Sequence, residues 1–92
     1  MDRRQVVSEV SERTGIYKQT VDDLIGAFLS VVSDAVVKGD RVTINGFGSF
    51  QLSDRSERTR RDFSTGELIT VPAHKVPVFK ASAGLRERVH GV

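Results

Sequence analysis

The stretch VTINGFGSFQL, residues 42–52, lies where the apolar pattern of the chain changes from helical to strand spacing. Apolar and polar residues alternate over residues 42–44, as in a half-buried strand. Asn45-Gly46 is a strong signal for a two-residue hairpin turn, and a second strand is predicted over residues 47–52. An antiparallel sheet is therefore expected to begin near the middle of the chain.

Two helices are predicted before this sheet. Asp2 can cap the first helix, with Gln5 at the spacing of a capping box, and Gly15 ends it. The second helix starts near residues 17–20 and stops at Gly39. Its apolar stripe, spaced at i, i+3, i+4 and i+7, comprises Val21, Leu24, Ile25, Phe28, Val32, Ala35 and Val36.

Leu29 and Val31 widen the apolar face of the second helix beyond this stripe. In a hairpin of two helices, the extra face needs a second partner. A chain of 92 residues also lies in the size range where burial is marginal and oligomerisation is a common remedy. We therefore interpret the second helix as a subunit interface.

The C-terminal half is predicted to form an extended β-ribbon with a polar far end. Strand-compatible residues continue from the sheet as far as Arg61, and residues 64–66 supply a turn. A strand resumes over residues 68–71 until Pro72, which has no N–H to donate to a strand ladder. The remaining elements are a strand with Val76, Val78 and Phe79 that Pro77 interrupts, and a short helix with Leu85 and Val89.

These elements predict an α+β fold in one domain. Its parts are a helical hairpin over residues 1–39, a sheet and arm over 40–81 with the arm near 53–71, and a C-terminal helix over 82–92. No apolar run approaches the length of a membrane span, and the N-terminal MDRRQVV lacks the apolar core of a signal peptide. An intracellular, cytoplasmic protein is the expectation.

The positive charge is concentrated in the C-terminal half. Residues 1–52 carry six Lys/Arg and seven Asp/Glu, a net charge of −1, whereas residues 53–92 carry eight and five, a net charge of +3. This asymmetry suggests an anionic partner, although a solvated charged face fits the charge alone equally well. Seven of the eight basic residues are Arg55, Arg58, Arg60, Arg61, Lys75, Lys80 and Arg86.

Phe63 stands alone among Arg, Ser, Thr and acidic residues in RSERTRRDFSTGE, residues 55–67. A two-stranded ribbon is not stable in water without support. A ribbon that lacks an apolar face, yet ends in arginines and one Phe, is therefore interpreted as a binding arm. A disordered charged loop over residues 53–67 is the alternative, and both hold if the arm orders on binding.

The arginines favour nucleic acid as the partner, because guanidinium groups contact phosphates and base edges in a planar, bidentate way. Strand alternation places Arg55 and Arg61 on one face of the ribbon, and Arg58 and Arg60 on the other. A ribbon inserted into a groove can use both faces, since phosphates line each wall. Phe63 would then be an apolar wedge between base steps.

The residues also resemble a known family over essentially the whole chain. The motifs that carry the resemblance are GFGSF at 46–50, Arg55, Arg58, Arg61, Thr65-Gly66-Glu67, Pro72 and KVPVFK at 75–80. They are similar to those of the HU/integration host factor family of bacterial DNA-bending proteins. The resemblance implies an intertwined dimer with a helical body, a β-sheet saddle and two β-arms that bind the minor groove of DNA.

Residue roles follow from the resemblance by position. It implies that Lys75 and Lys80 lie on the saddle that faces the DNA backbone, and that Arg86 is a basic position of the last helix. Phe47, Phe50 and Phe79 match the aromatic core under the saddle, and Gly46 and Gly48 match tight backbone positions. The predicted DNA-binding residues are Arg55, Arg58, Arg60, Arg61, Phe63, Lys75, Lys80 and Arg86.

The arm tip departs from the family pattern. Family members usually have Arg-Asn-Pro with the proline as wedge, whereas this chain has Arg61, Asp62 and Phe63. Phe63 is larger and flatter than proline and can stack on an exposed base. Asp62 places a carboxylate near phosphates, and Asp54 and Glu57 add two more acids to the arm. We therefore expect weaker non-specific affinity than is usual in the family, or a greater dependence on Phe63.

The sequence shows no pattern typical of catalysis or metal binding. It has no cysteine, and its only histidines are His74 and His90, so a disulfide is excluded and a zinc site is not expected. The carboxylates show no paired arrangement for acid–base chemistry. We expect a non-enzymatic protein without catalytic residues, cofactor, metal or small-molecule substrate.

The sequence thus predicts a homodimeric, histone-like, nucleoid-associated protein that bends and compacts duplex DNA with little or modest sequence preference. A paralogue as the second subunit stays open, as does a site-selective factor resembling integration host factor. A protein-interaction module, whose arm and Phe63 dock into a partner's pocket, is the alternative from another class.

Overall fold

Eight elements follow one another along residues 1–91, the part of the chain that the computed structural model describes. The predicted α+β order of helix, helix, strands and helix is confirmed. The elements are α1 (Arg3–Thr14), α2 (Lys18–Val37), β1 (Val42–Ile44), β2 (Gly48–Arg55), β3 (Arg58–Arg61), β4 (Leu68–Val71), β5 (His74–Ala81) and α3 (Ala83–His90). The predicted C-terminal helical segment extended to Val92, and this residue lies outside the described part of the chain.

The chain divides into two units, and Met1–Asp34 is the first. Asp2 and Gln5 form the predicted capping box: the Gln5 N–H donates to Asp2 Oδ1 at 3.0 Å, and the Asp2 N–H donates to Gln5 Oε1 at 2.7 Å. Gly15 ends α1 in the left-handed region at φ 74°. Arg3 ties α1 to α2 through its Nε, which lies 2.9 Å from Asp22 Oδ1.

The apolar face of α2 is only partly covered within one chain. Val21 and Val32 are buried. Leu24, Phe28 and Val31 follow each other at i, i+4 and i+7 and remain 58%, 46% and 67% exposed. One flank of α2 is therefore an uncovered apolar stripe. The two residues that were predicted to widen the apolar face, Leu29 and Val31, are also exposed.

The second unit starts at Ala35 and contains an antiparallel sheet in the order β1-β2-β5. The predicted two-residue turn between β1 and β2 is wrong, because Ile44 pairs with Gly48 and the loop has three residues, 45–47. The Phe47 N–H donates to the Ile44 carbonyl at 3.0 Å. A two-residue type I′ turn needs positive φ at both central residues, and here only Gly46 has it, at 79°.

The predicted interruption at Pro77 is also wrong. Strand β5 runs through this proline and pairs with β2 without a break from Gly48↔Ala81 to Arg55↔His74. Within the described chain β5 is an edge strand, and an edge tolerates proline when its nitrogen faces away from the neighbouring strand.

Beyond this sheet, β3 and β4 form a separate two-stranded hairpin, here called the arm hairpin, residues 58–71. It ends at Val71 before Pro72, as predicted. Residues 56 and 57 belong to neither β2 nor β3. Side-chain alternation therefore does not run through from Arg55 to Arg61, and their predicted common face does not follow.

An aromatic cluster lies on one face of the three-stranded sheet. The ring centroid of Phe79 is 5.2 Å from that of Phe47 and 5.0 Å from that of Phe50. Gly48 packs so closely that a Cβ there would lie 2.5 Å from both Phe79 Cζ and the Lys80 carbonyl oxygen. Only glycine fits at this position. Phe47 and Phe79 remain exposed, so the cluster is not closed within one chain.

Candidate nucleic-acid interface

The turn between β3 and β4 is a closed loop of hydrogen bonds. The Asp62 N–H donates to the Glu67 carbonyl at 2.8 Å, and the Gly66 N–H donates to the Asp62 carbonyl at 2.7 Å. Gly66 has φ 75°, the left-handed conformation that glycine adopts without strain. Arg61 Nη1 donates to the Gly66 carbonyl at 3.2 Å. The tip is therefore held in one shape by its own backbone.

Asp62 shapes this loop through its side chain. Its Oδ1 accepts both the backbone N–H and the hydroxyl of Ser64, each at 2.9 Å. These bonds, the backbone one first, lower the pKa of the Asp62 carboxyl. Because this pKa is lowered in the folded protein, ionisation of Asp62 stabilises the folded tip at pH values above the ordinary aspartate pKa. The stabilisation is lost only as the pH falls through the lowered pKa. Sequence reasoning assigned Asp62 only a repulsive charge, although Asp-x-Ser is the pattern of a side-chain turn.

Phe63 lies at the apex of the tip and is 103% exposed. Among residues 1–91, no side chain or backbone segment shields its ring from solvent. The arm tip therefore presents an aromatic ring to solvent on a turn that hydrogen bonds between Asp62 and Ser64 hold in place. The predicted isolation of Phe63 in an otherwise polar segment is confirmed.

The strand register sorts the arm side chains into two faces. Arg58 pairs with Val71 and Arg60 with Ile69, so these four share one face. Arg61 pairs with Leu68 and occupies the opposite face. The predicted common face of Arg58 and Arg60 is confirmed, and each face of the arm hairpin combines arginine with apolar surface.

Leu68 was missed as a candidate interface residue. It was assigned only to a strand, yet it is 68% exposed beside the tip, opposite Arg61. This two-stranded hairpin has no apolar core among the described residues that could bury the leucine. Its position next to a polar turn was the signal that could have identified it.

Within the described part of the chain, no acidic side chain forms an ion pair with an arm arginine. The ion pairs within 4.0 Å among residues 1–91 are Arg3–Asp22, Arg4–Asp2 and Arg13–Glu9, all in the helical unit. Arg55 Nη1 donates to Ser53 Oγ at 3.2 Å, a bond that leaves its charge unpaired. The guanidinium groups of the arm are therefore available to an anionic partner.

A hollow at the base of the arm hairpin brings Arg55 and Arg58 together with His74. Glu57 also lines this hollow and partly offsets its positive charge. His74 Nδ1 lies 2.9 Å from the Pro72 carbonyl, which can only accept, so this nitrogen carries the proton. The other ring nitrogen is left for a partner.

The structure separates the two predicted saddle lysines. Because β5 pairs with β2 without a bulge, Lys75 and Lys80 point to opposite faces of the sheet. Lys80 lies on the same face as Arg55. Lys75 lies on the face of the aromatic cluster, where Asp54 is its cross-strand neighbour. Arg86 is exposed on α3.

Residues 1–91 were also searched for membrane-spanning helices and for clusters of metal-binding side chains. No helix of this part combines the length and apolarity needed to cross a membrane. Over the same residues, no three histidine or acidic side chains come together as a possible metal site.

Comparisons with known proteins cover nearly the whole chain. The family model described as bacterial DNA-binding protein matches residues 1–90. Integration host factor subunit beta of Dechloromonas aromatica is 40% identical over 90 residues, spanning 97% of this chain and 96% of that protein. DNA-binding protein HU of Nostoc sp. is 37% identical over 89 residues, spanning 97% and 95%.

Solved structures agree with these sequence relatives. The Anabaena HU–DNA cocrystal structure superposes with a TM-score of 0.93 at 37% identity and covers 97% of each chain. HU from Thermotoga maritima has a TM-score of 0.69 at 25% identity, covering 97% of this chain and 98% of that one.

Proposed function

Because the chain belongs to the HU/integration host factor family of bacterial DNA-binding proteins, we propose that it bends and compacts duplex DNA as a homodimer with two β-arms. Proteins of this family are architectural DNA-binding proteins that form dimers, and they are not enzymes. The chain is accordingly a histone-like DNA-binding protein.

The arm hairpin is the observation that carries the proposed mode of binding. Its arginines lack acidic partners among the described residues, and its tip presents a fully exposed ring. Arginine on both faces suits a ribbon that lies within a groove between two walls of phosphate. Contacts of this kind position a protein on DNA without reading its sequence, which supports little or modest sequence preference.

Bending follows from Phe63 acting as a wedge. An apolar side chain that enters a base step partly unstacks it and kinks the duplex, at a cost of about a few kcal/mol per step. The bent duplex then brings more phosphates to the basic residues of the protein. Those proposed to contact the backbone are Arg55, Arg58, Arg60, Arg61, Lys75, Lys80 and Arg86.

Lys80 is the stronger of the two saddle candidates. It lies on the face that also carries Arg55, while Lys75 lies opposite the acidic Asp54. Within this proposal Lys75 contributes less to DNA affinity than Lys80 does.

Dimerisation is supported by the uncovered stripe of Leu24, Phe28 and Val31 on α2. Burial of such side chains contributes roughly 25 cal/mol per Å² of apolar surface removed from water. A second copy of the chain, intertwined as the family resemblance implies, would cover this stripe. We propose one functional domain over the chain, acting in the cytoplasm as a nucleoid-associated protein.

A site-selective DNA-bending factor is the second candidate. The observation in its favour is the 40% identity to an integration host factor subunit. Because that relative is named as a subunit, a heterodimer of this chain with a paralogue is also an alternative to the homodimer. Site selection would require one duplex sequence to be bound much more tightly than others at the same salt concentration.

Fluorescence anisotropy of labelled duplexes at several salt concentrations tests the proposal. We expect binding to unrelated sequences with similar affinity, and log K falling linearly with log salt, because phosphate contacts release counterions. Unlabelled duplex DNA should compete fully. Binding that is independent of salt and is not displaced by duplex DNA would instead support a protein-interaction module.

A further inference from the structure

We propose that His74 is a protonation-dependent phosphate contact at the base of the arm hairpin, so that DNA affinity rises as the pH falls. This inference rests on the proposed DNA-binding function and adds to it a residue and a dependence on pH that the function itself does not require. The phosphate would occupy the hollow that Arg55 and Arg58 line together with His74.

His74 lies on the face of the sheet that carries other proposed phosphate contacts. It is exposed and is the cross-strand partner of Arg55, so the two side chains project from the same face. Lys80, further along the unbroken strand β5, projects from that face as well. Asp54 and Lys75 border the ring in an adjoining hollow, but they project from the opposite face as cross-strand neighbours of opposite charge.

The backbone fixes which nitrogen of the His74 ring can change its protonation. Nδ1 lies 2.9 Å from the Pro72 carbonyl oxygen, which can only accept, so Nδ1 carries a proton in both charge states of the ring. In the neutral ring, Nε2 is an acceptor and cannot bind a phosphate oxygen. In the cationic ring, Nε2 is a charged donor. A contact from Nε2 to phosphate therefore requires the second proton.

The charged groups that line the hollow favour an anion there. Arg55 on β2 and Arg58 on β3 supply positive charge, and Glu57, between those strands, is the acid of the lining. The ion pairs within 4.0 Å among residues 1–91 include none of these three side chains and do not include His74. A phosphate in the hollow would offset the repulsion between the arginines and a cationic ring, so phosphate binding and protonation of His74 favour each other.

Duplex binding at about pH 5.5 and about pH 8 tests the inference, because histidine is the side chain whose charge ordinarily changes in this range. We expect the full-length wild-type protein to bind an intact duplex about threefold or more tightly at the lower pH, since a dimer contains two copies of this exposed charge contact. Fluorescence anisotropy at constant salt measures this ratio. The slope of log K against log salt should also steepen at the lower pH, by up to about 0.9 for each protonated His74.

His74→Asn and His74→Arg are the matched variants. The asparagine amide can donate to the Pro72 carbonyl in place of Nδ1, but it carries no charge at any pH, so the variant should bind with the weaker affinity at both pH values. Arginine is charged throughout this range and should bind with the tighter affinity at both. His90→Gln is the control, because it removes the other histidine, which lies on α3. It should keep the wild-type pH dependence.

Calorimetry in buffers of different ionisation enthalpy gives a second readout, because it counts the protons that are taken up on binding. The wild type should take up protons, at most one at each His74, and this uptake should be lost in His74→Asn. Equal wild-type affinity at both pH values, or a pH dependence that survives in His74→Asn, would overturn the inference while leaving duplex binding intact. Failure to bind the duplex at either pH would overturn the proposed function as well.

Discussion

Asp62 both shapes the arm tip and adds negative charge where DNA phosphates are proposed to bind. Its Oδ1 accepts two hydrogen bonds from Ser64, and one carboxylate oxygen remains outside those bonds. The amide oxygen of asparagine can accept the same two bonds without a charge. The geometric and electrostatic roles of residue 62 can therefore be separated by substitution.

Asp62→Asn should tighten binding to every duplex by roughly twofold to fivefold, the range of a single solvent-exposed charge interaction. Fluorescence anisotropy with several sequences at constant salt measures this effect. Asp62→Ala is the control, since it removes the charge and the acceptor together. The Ser64 amide proton should stay protected from hydrogen exchange in the Asn variant and lose protection in the Ala variant. Equal affinities of Asp62→Asn and the wild type would show that the carboxylate is remote from phosphates.

The sheet depends on a close approach at Gly48. Gly48→Ala places a Cβ 2.5 Å from a Phe79 ring atom and from a backbone carbonyl, so strand pairing or ring packing must shift. The expected loss in free energy of unfolding is about 1–3 kcal/mol, the range for overpacking. Denaturant titration measures it.

Gly84→Ala is the matched control for Gly48→Ala, because outside its own helical turn the nearest described atom to a Cβ there is the Gly46 carbonyl oxygen at 3.7 Å. It should be neutral or slightly stabilising within α3. An equally stable Gly48→Ala variant would mean that the aromatic cluster adjusts without cost.

The arm hairpin and sheet should set the salt dependence of DNA binding. Removing one phosphate contact reduces the slope of log K against log salt by about 0.9, and a dimer carries two copies of each residue. Arg58→Gln and Lys80→Gln should therefore each flatten the slope by nearer two units than one. Arg13→Gln is the control, because Arg13 lies on α1 beside Glu9. A changed sequence preference with an unchanged slope would contradict the assignment of Arg58 or Lys80 to phosphate.

Local chemistry made most elements predictable from the sequence. The capping box of Asp2 and Gln5, and the stop at Pro72, depend on residues adjacent in the chain. The continuation of β5 through Pro77 could not be predicted in the same way. It depends on pairing with β2, which lies more than twenty residues away in sequence.

The candidate site was predictable in part for a related reason. Phe63 was identified as a candidate because its neighbours in the sequence are polar, and the structure places its ring in solvent. The common face assigned to Arg55 and Arg61 does not follow from strand alternation, because the chain leaves strand geometry at residues 56 and 57 without a glycine or proline to signal it. The opposite directions of Lys75 and Lys80 depend on an unbroken register, whereas Pro77 was predicted to interrupt the strand.

The exposed apolar stripe on α2 makes a prediction about the assembly of the whole molecule. The stripe of Leu24, Phe28 and Val31 is exposed in the single chain, and Phe28 lies at its centre. Phe28→Asp would place a charge in the proposed interface, where burial without a partner is strongly unfavourable. The variant should lose the dimer at micromolar concentration and, with it, cooperative thermal unfolding.

Sedimentation and thermal unfolding test the Phe28→Asp prediction together. Ser30→Asp is the control, since it adds the same charge to an exposed position on the other side of α2. It should leave the dimer intact. A wild-type protein that sediments as a folded monomer, with unfolding unchanged in Phe28→Asp, would refute the intertwined dimer.

The bend in bound DNA tests the central claim most directly. Fluorescence energy transfer between dyes at the two ends of a short duplex should increase when the wild-type protein binds, because the ends move closer. Phe63→Ala should reduce the increase and weaken binding by up to about 1–3 kcal/mol, the range for base–aromatic stacking. Phe63→Pro should restore much of the bend. An end-to-end distance that is unchanged when the wild-type protein saturates the duplex would contradict the account of this chain as a DNA-bending protein.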